Sequence, residues 1–393
     1  MGRSFKRLWV EAPEAEREQL VLELVRGEVA DVLGHASPDE VTARRAFIEL
    51  GFDSLMAIEL RSRLSDATGL QLPATVVLDH PNAAALSDHL LLRLREAAMN
   101  APAAEGAAQD VPEPTAPGQP AGTLGGLLRA ARDRGEVEEF TGLLMAVSKF
   151  RPTFGGQPGT APAVEPIRLA EGSARPKLIC VPSVLAISGP HQYVRLAAPF
   201  RGDRDVAALP LPGFTAGELV PEDMRALLVA HAEAVERVAC ETPFVLVGHS
   251  AGGVLAYALA GHLESIGVSP AGVVLIDSYE IEAGSVDVLR QVIDGMLERE
   301  DAVAAISDVR LTAMGVYLQL LAGWRGGTVA APTLLLRAEE SMAGSSLQPA
   351  RGSSWEAFDE AIDVQGDHFT MLEAHAAATA GVLCDWLATT CDS

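Results

Sequence analysis

The run Phe244-Val245-Leu246-Val247-Gly248-His249-Ser250-Ala251-Gly252 constrains the fold of this 393-residue chain more than any other stretch. An apolar run this short, bounded by turn residues, reads as a strand buried on both faces. Gly-x-Ser-x-Gly follows at once, and a helical pattern, Ala251–Ile266, follows that. The two glycines permit a strained strand-to-helix turn with the serine hydroxyl at its apex. Further apolar runs at Leu178–Val181, Val206–Leu209, Val273–Ile276 and Thr333–Leu336 repeat the pattern, and Pro221–Ala239 supplies another connecting helix. The expected architecture is an open α/β sheet of parallel strands covered on both faces. Ser285–Trp324 is helical and interrupts the rhythm after Val273–Ile276. An insertion there lies above the carboxyl ends of the strands, where ligands bind, so residues 285–325 read as a lid.

A serine on such a turn can act in acyl transfer if a base and an acid reach it, in the chain order serine, acid, histidine. Only His262, His368 and His375 follow Ser250. His262 falls mid-helix and His375 within the last helical pattern. His368 lies in Gly366-Asp367-His368-Phe369, in a loop after the short apolar stretch Ala361–Val364, and is the expected base. Two positions compete for the acid. Asp277 ends the strand Val273–Ile276, and Glu339 and Glu340 follow the next strand. Residue chemistry leaves them level. His249 adjoins the serine, but its side chain should point away from the turn. An oxyanion would be held by the backbone N–H of Ala251 and by a second donor in the loop after the first core strand, at Val184 or Leu185, with Leu185 preferred.

The N-terminal part has another character. Residues 11–95 form an all-helical pattern, with Leu22, Val25, Val29 and Val32 at helical spacing, a second helix from Ser54 through Met56, Leu60 and Leu64 to Gly69, and a third from near Asn82 through Leu86 and Leu90. Ser54, in Gly51-Phe52-Asp53-Ser54-Leu55, heads its helix beside an acid, with no histidine nearby to make it a nucleophile. A serine at a helix N-terminus suits a phosphodiester-linked group, whose negative charge that end favours. Residues 96–122 are rich in Ala, Pro and Gly and read as a flexible linker. Two short amphipathic helices follow, carrying Leu124, Leu127 and Leu128, then Phe140, Leu143, Leu144 and Val147. They either cap the following core or join two copies of the chain.

The net charge of −23, from 30 Lys+Arg against 53 Asp+Glu, leaves no basic stripe for nucleic acid and suits a cytoplasmic protein. Cys180, Cys240, Cys384 and Cys391 form no CxxC pair, so neither a metal site nor a disulfide framework is expected. The N-terminus has no apolar core of a signal peptide, and no apolar stretch is long enough to span a membrane.

Gly51-Phe52-Asp53-Ser54-Leu55, continuing Met56-Ala57-Ile58-Glu59-Leu60-Arg61, resembles the acyl carrier protein domains of modular polyketide synthases. That resemblance implies a four-helix carrier domain over 11–95, with 4′-phosphopantetheine on Ser54 installed by a separate phosphopantetheinyl transferase. Residues 123–393 resemble the C-terminal thioesterases of macrolide synthases. The resemblance rests on Ile187-Ser188-Gly189-Pro190-His191, Gly248-His249-Ser250-Ala251-Gly252-Gly253, Leu275-Ile276-Asp277-Ser278-Tyr279 and Gly366-Asp367-His368-Phe369. It implies an α/β-hydrolase domain with a helical lid insertion and a triad of Ser250, His368 and Asp277, settling the acid on Asp277. It also implies a homodimer through the helices of 123–150. The loop Pro182-Ser183-Val184-Leu185 departs from the family by being bulkier and less glycine-like, which leaves the second oxyanion donor and the chamber shape open.

The resulting expectation is chain release. An acyl chain delivered by upstream polyketide synthase modules would pass from the Ser54 arm to Ser250 and leave by macrolactonisation, or alternatively by hydrolysis. The absence of condensing and loading domains reads as an excised fragment or a short final polypeptide. A non-catalytic carrier or docking protein with a degenerate hydrolase fold is a second reading. A free-standing esterase is a third, and it leaves Ser54 unexplained.

Overall fold

A computed structural model describes residues 5, 9, 12–33, 37–38, 41–47, 50, 52, 54–70, 72, 76–99, 122–157, 159, 161–279, 286–299, 306–341 and 358–390. They fall into two compact units, one within Met1–Pro117 and one within Gly118–Glu300 and Ile306–Ser393. The expected linker lies almost wholly outside the described residues.

The first unit contains the helices α1 (Glu14–Leu33), α2 (Ser54–Thr68), α3 (Val76–Asp79) and α4 (Ala83–Met99). Val21, Val25 and Val29 of α1, Leu60 and Leu64 of α2 and Leu86 and Leu90 of α4 are fully buried together. The buried stripe of α1 therefore runs through Val21, Val25 and Val29, with the expected Leu22 and Val32 at its margins. Gly69 ends α2 with φ 75°, a left-handed position that costs glycine little. Asn82 caps α4 by accepting Ala85 N–H at 2.9 Å. The helix continues to Met99, past the expected boundary at 95, and α3 had no separate signal.

The second unit opens with α5 (Leu124–Arg134) and α6 (Val137–Ser148). Nine strands follow: β1 (Thr153–Phe154), β2 (Ile167–Ala170), β3 (Ala174–Val181), β4 (Arg204–Ala208), β5 (Val220–Pro221), β6 (Phe244–His249), β7 (Gly272–Ile276), β8 (Thr333–Ala338) and β9 (Glu360–Val364). Between and after them run α7 (Met224–Ala239), α8 (Ala251–Ser265), α9 (Val286–Glu298), α10 (Asp308–Gly323) and α11 (Ala376–Thr390). Seven strands make one sheet in the order β2-β4-β3-β6-β7-β8-β9. Every neighbouring pair is parallel except β2 with β4. All five expected strands lie in its interior. The chain moves outward from β3 to β4 and then returns to β6, so the sheet reverses direction between β3 and β6. Such a switch point opens a crevice beyond the strand carboxyl ends. β1 and β5 pair separately.

Two expected segments are more mixed in the structure than their sequence patterns. The leucine stripes of α5 and α6 do not stay together: Leu128, Phe140 and Leu144 are buried, while Leu127 and Leu143 are exposed. Gly315 of α10 lies against α6 so closely that a Cβ there would sit 2.1 Å from Ser148 Oγ. Among the described residues the stretch expected as a lid holds α9 and α10, and in α10 Leu311, Ala313, Met314 and Tyr317 are fully buried. Arg151 pins it by donating to Val309 O at 3.0 Å and Thr312 Oγ1 at 2.9 Å, and to Gly213 O at 2.9 Å. Among the described residues no helix is long and apolar enough to cross a membrane, and no His/Cys/Asp/Glu cluster has the makings of a metal site.

Candidate active site

Ser250 stands between β6 and α8 with φ 57° and ψ −132°, a conformation that non-glycine residues rarely adopt. Its N–H donates to Ile276 O at 2.9 Å, which fixes the turn to β7. The glycines on either side permit the approach: a Cβ on Gly248 would lie 2.3 Å from Gly252 O, and one on Gly252 would lie 2.4 Å from Val181 O.

The loop after β9 brings His368 to this turn. Gly366 has φ 109°, and Asp367 Oδ1 accepts the N–H groups of Phe369 and Thr370 at 3.0 and 2.8 Å, holding the loop in a tight turn. His368 Nε2 lies 3.0 Å from Ser250 Oγ, and Nδ1 lies 2.7 Å from Asp277 Oδ2. All three side chains are buried. His262 instead occupies the last turn of α8, and His375 precedes α11 rather than falling inside it.

Asp277 leaves β7 with φ 43°, its N–H donating to Leu336 O at 2.7 Å. Its Oδ1 accepts Ala338 N–H at 3.1 Å and the Tyr279 hydroxyl, so Oδ2 is left for His368. Burial alone would raise the Asp277 carboxyl. The hydrogen bond and charge of His368, with the bonds from Tyr279 and Ala338, outweigh it and hold the carboxyl below its ordinary value. Glu339 and Glu340 are exposed, their backbone N–H groups committed to Val364 O and Gly366 O. The structure therefore brings Asp277, and neither glutamate, to His368.

Ala251 begins α8, where a first-turn N–H has no acceptor within the helix and is free to meet a negative charge. Leu185 is buried in the loop after β3, its carbonyl accepting Ser188 N–H at 2.8 Å. In the same loop Pro182 has no N–H, and Ser183 N–H is occupied by Gln192 Oε1 at 3.2 Å. Phe369 packs against α9: its ring lies edge-on to His368 at 5.1 Å, and a Cβ on Gly295 of that helix would sit 2.2 Å from it. Arg299 covers the other side, 4.1 Å from the ring centroid, and pairs with Glu373 at 2.9 Å.

Sequence reasoning missed four residues around this line: Tyr279, His249, Gln192 and Tyr193. Tyr279 had a local signal, two positions beyond the acid. The others act across long stretches of sequence. The His249 ring lies 4.8 Å from that of His368, and its Nε2 lies 2.6 Å from His368 O.

In the first unit, Ser54 is the first residue of α2. Phe52, two residues earlier, is buried with its ring 5.2 Å from that of Phe47. The N-terminal end of a 15-residue helix fits attachment of a phosphodiester-linked group.

Residues 176–387 match the thioesterase domain family, and residues 23–90 match the family of phosphopantetheine attachment sites. Polyketide synthase GfsE of Streptomyces halstedii is 43% identical over 95% of this chain and 10% of its own length. Spectinabilin polyketide synthase system protein NorC of Streptomyces orinoci is 39% identical over 98% of this chain and 17% of its own. Erythronolide synthase EryA3 of Saccharopolyspora erythraea is 38% identical over 96% of this chain and 11% of its own. The chain thus spans between a tenth and about a sixth of the length of the curated relatives it matches.

Proposed function

The chain belongs to the thioesterase domain family and carries ahead of that domain an attachment domain for covalent 4′-phosphopantetheine, and from this premise we propose that it releases polyketide acyl chains from its own carrier. Ser54 is the attachment residue, and the bound group supplies a thiol that presents the acyl chain as a thioester. Ser250 Oγ attacks the thioester carbonyl while His368 Nε2 takes its proton. Asp277 holds Nδ1–H of the imidazole and balances its charge as it becomes imidazolium. The backbone N–H groups of Ala251 and Leu185 receive the developing oxyanion. His368 returns the proton to the departing sulfur, leaving the acyl group esterified to Ser250.

The same base then activates the second nucleophile, a hydroxyl of the acyl chain itself, and ring closure regenerates Ser250. We favour this macrolactonisation over attack by water because of the resemblance to macrolide synthase thioesterases and the erythronolide synthase among the relatives. Helix α9, touching Phe369 next to the base, forms the closing wall of the chamber. Upstream synthase modules deliver the chain, and a phosphopantetheinyl transferase modifies Ser54. The exposed Leu127 and Leu143, with Phe150 at 88% exposure just beyond α6, support pairing of two copies through residues 123–150.

The single observation that carries this reading is the hydrogen-bonded line Ser250–His368–Asp277 in a chain that also holds a carrier domain. It is tested by mass spectrometry of the products from a thioester-activated hydroxy-acyl surrogate. A macrolactone supports it; linear acid alone leaves hydrolytic release, and no turnover leaves a carrier or docking role.

A further inference from the structure

One helical turn, Pro190–Tyr193, reaches the carboxyl ends of two neighbouring strands. Tyr193 Oη donates to Val181 O at 2.7 Å at the end of β3 and accepts His249 N–H at 2.9 Å at the end of β6. Beside it, Gln192 Oε1 accepts Ser183 N–H at 3.2 Å, and Gln192 Nε2 lies 3.4 Å from His249 Nδ1. His249 Nε2, in turn, lies 2.6 Å from the carbonyl oxygen of His368.

Only one arrangement of protons satisfies every group. A carbonyl oxygen can only accept, so His249 Nε2 carries a hydrogen, and in a neutral ring Nδ1 is then an acceptor. The Gln192 amide must turn its NH2 toward Nδ1, which leaves Oε1 for Ser183. Ser183 requires that same orientation independently, because its N–H can only donate. Burial keeps the ring neutral: desolvation first, and the nearby His368 second, push His249 down to about 3, against the opposing effects of the bond to His368 O and of Asp277. The chain of bonds runs from Ser183 N–H through Gln192 and His249 to His368 O, and His249 is joined by one peptide bond to Ser250. It connects the loop expected to hold the second oxyanion donor with the backbone of the expected base.

We propose that Gln192 and His249 form a positioning relay that holds the oxyanion loop and the His368 backbone in register with Ser250, an inference that rests on the release reaction proposed above. Neither residue touches the reacting atoms. The relay sets the spacing between three loops that arrive from β3, β6 and β9, and a misplacement of an ångström between reacting groups is enough to slow chemistry strongly.

The test uses the full chain and a fluorophosphonate that labels Ser250, recording both the labelled fraction and the second-order rate constant. Gln192→Leu and His249→Phe should each still label to about one group per folded chain, at rates about tenfold below wild type, the loss associated with one buried hydrogen bond. The double variant should be no slower than the slower single variant, because the relay is broken only once. A wild-type rate in either single variant, or losses that multiply in the double, would overturn the relay. A merely structural role would lower the melting temperature or the labelled fraction and leave the rate of the labelled fraction unchanged. If either variant fails to fold, Gln192→Met serves instead: it keeps much of the side-chain volume but removes both the acceptor for Ser183 and the donor to Nδ1, so slow labelling is expected and a wild-type rate overturns the relay. A wild type that does not label at all sinks the proposed function itself; unchanged variants of a reactive wild type sink the relay alone.

Discussion

Replacing Asp277 with asparagine should abolish almost all acyl transfer while leaving the fold intact, and the structure says which way the amide must face. Asp277 Oδ1 accepts two donors, Ala338 N–H at 3.1 Å and the Tyr279 hydroxyl. An asparagine NH2 placed there would oppose a backbone N–H that cannot turn around. Leaving such a buried donor unsatisfied costs about 1–3 kcal/mol. The amide oxygen therefore stays with Ala338 and Tyr279, and the NH2 takes the place of Oδ2, 2.7 Å from His368 Nδ1. Nδ1 must then accept, the proton moves to Nε2, and Nε2 can no longer take the proton of Ser250 Oγ. The wrong tautomer in a serine-protease triad costs about 10⁴-fold in rate, equivalent here to about 5 kcal/mol of transition-state stabilisation. The assay is turnover of a small acyl thioester by purified Asp277→Asn, with thermal melts to show that it is folded. A folded variant within tenfold of the wild-type rate would refute the assignment of Asp277 as the orienting acid.

Three further outcomes are expected. Ser54→Ala should lack the mass increment of a phosphopantetheine arm after treatment with a phosphopantetheinyl transferase, yet should turn over a free small thioester at the wild-type rate; modification elsewhere, or lost turnover, contradicts the division of roles. Leu143→Glu with Phe150→Glu should shift the chain from dimer to monomer in sedimentation without lowering its melting temperature, and an unchanged mass refutes pairing through these helices. His231 is held neutral, its pKa pushed down to about 4 by desolvation against the bond to Pro210 O. Its contribution to stability is therefore complete above the ordinary histidine value of about 6.5 and is lost as pH falls towards 4, amounting to about 2 kcal/mol at pH 5. Urea melts of His231→Leu should show a drop between pH 7 and pH 5 smaller than wild type by that amount; identical drops would show that the residue titrates normally.

What could be read from sequence follows from burial. β3, β4, β6, β7 and β8 lie inside the sheet, covered on both faces, so each carries an apolar run that stands out. β2 and β9 lie at the sheet edges, where Arg168, Glu360 and Asp363 interleave with apolar neighbours, so β2 leaves no apolar run and β9 only the short stretch 361–364. The expected lid was blurred for the opposite reason. α9 and α10 are both helical and partly apolar, and no local pattern announces that α10 packs tightly against α6 through Gly315.

The site divides along the same line. Ser250 and His368 lie in short motifs whose geometry is local, so a turn and a following loop suffice to nominate them. The acid is different, because β7 and β8 are neighbours in register, Ile276 beside Leu336, and a carboxylate after either strand emerges at the same edge. The choice between them is made by backbone partners that no local pattern announces. Asp277 turns inward because Ala338 N–H and the Tyr279 hydroxyl take one of its oxygens, whereas Glu339 is drawn along β9 by its own N–H to Val364 O. Gln192 and His249 carry this to its limit: Gln192 reaches Ser183 within its own β3–β4 connection, but its contact with His249 and the bond of His249 to His368 O join segments from different strands and exist only once the sheet has assembled. Residues that carry the chemistry can thus be nominated from short motifs, while those that hold it in place are defined by strand order and register.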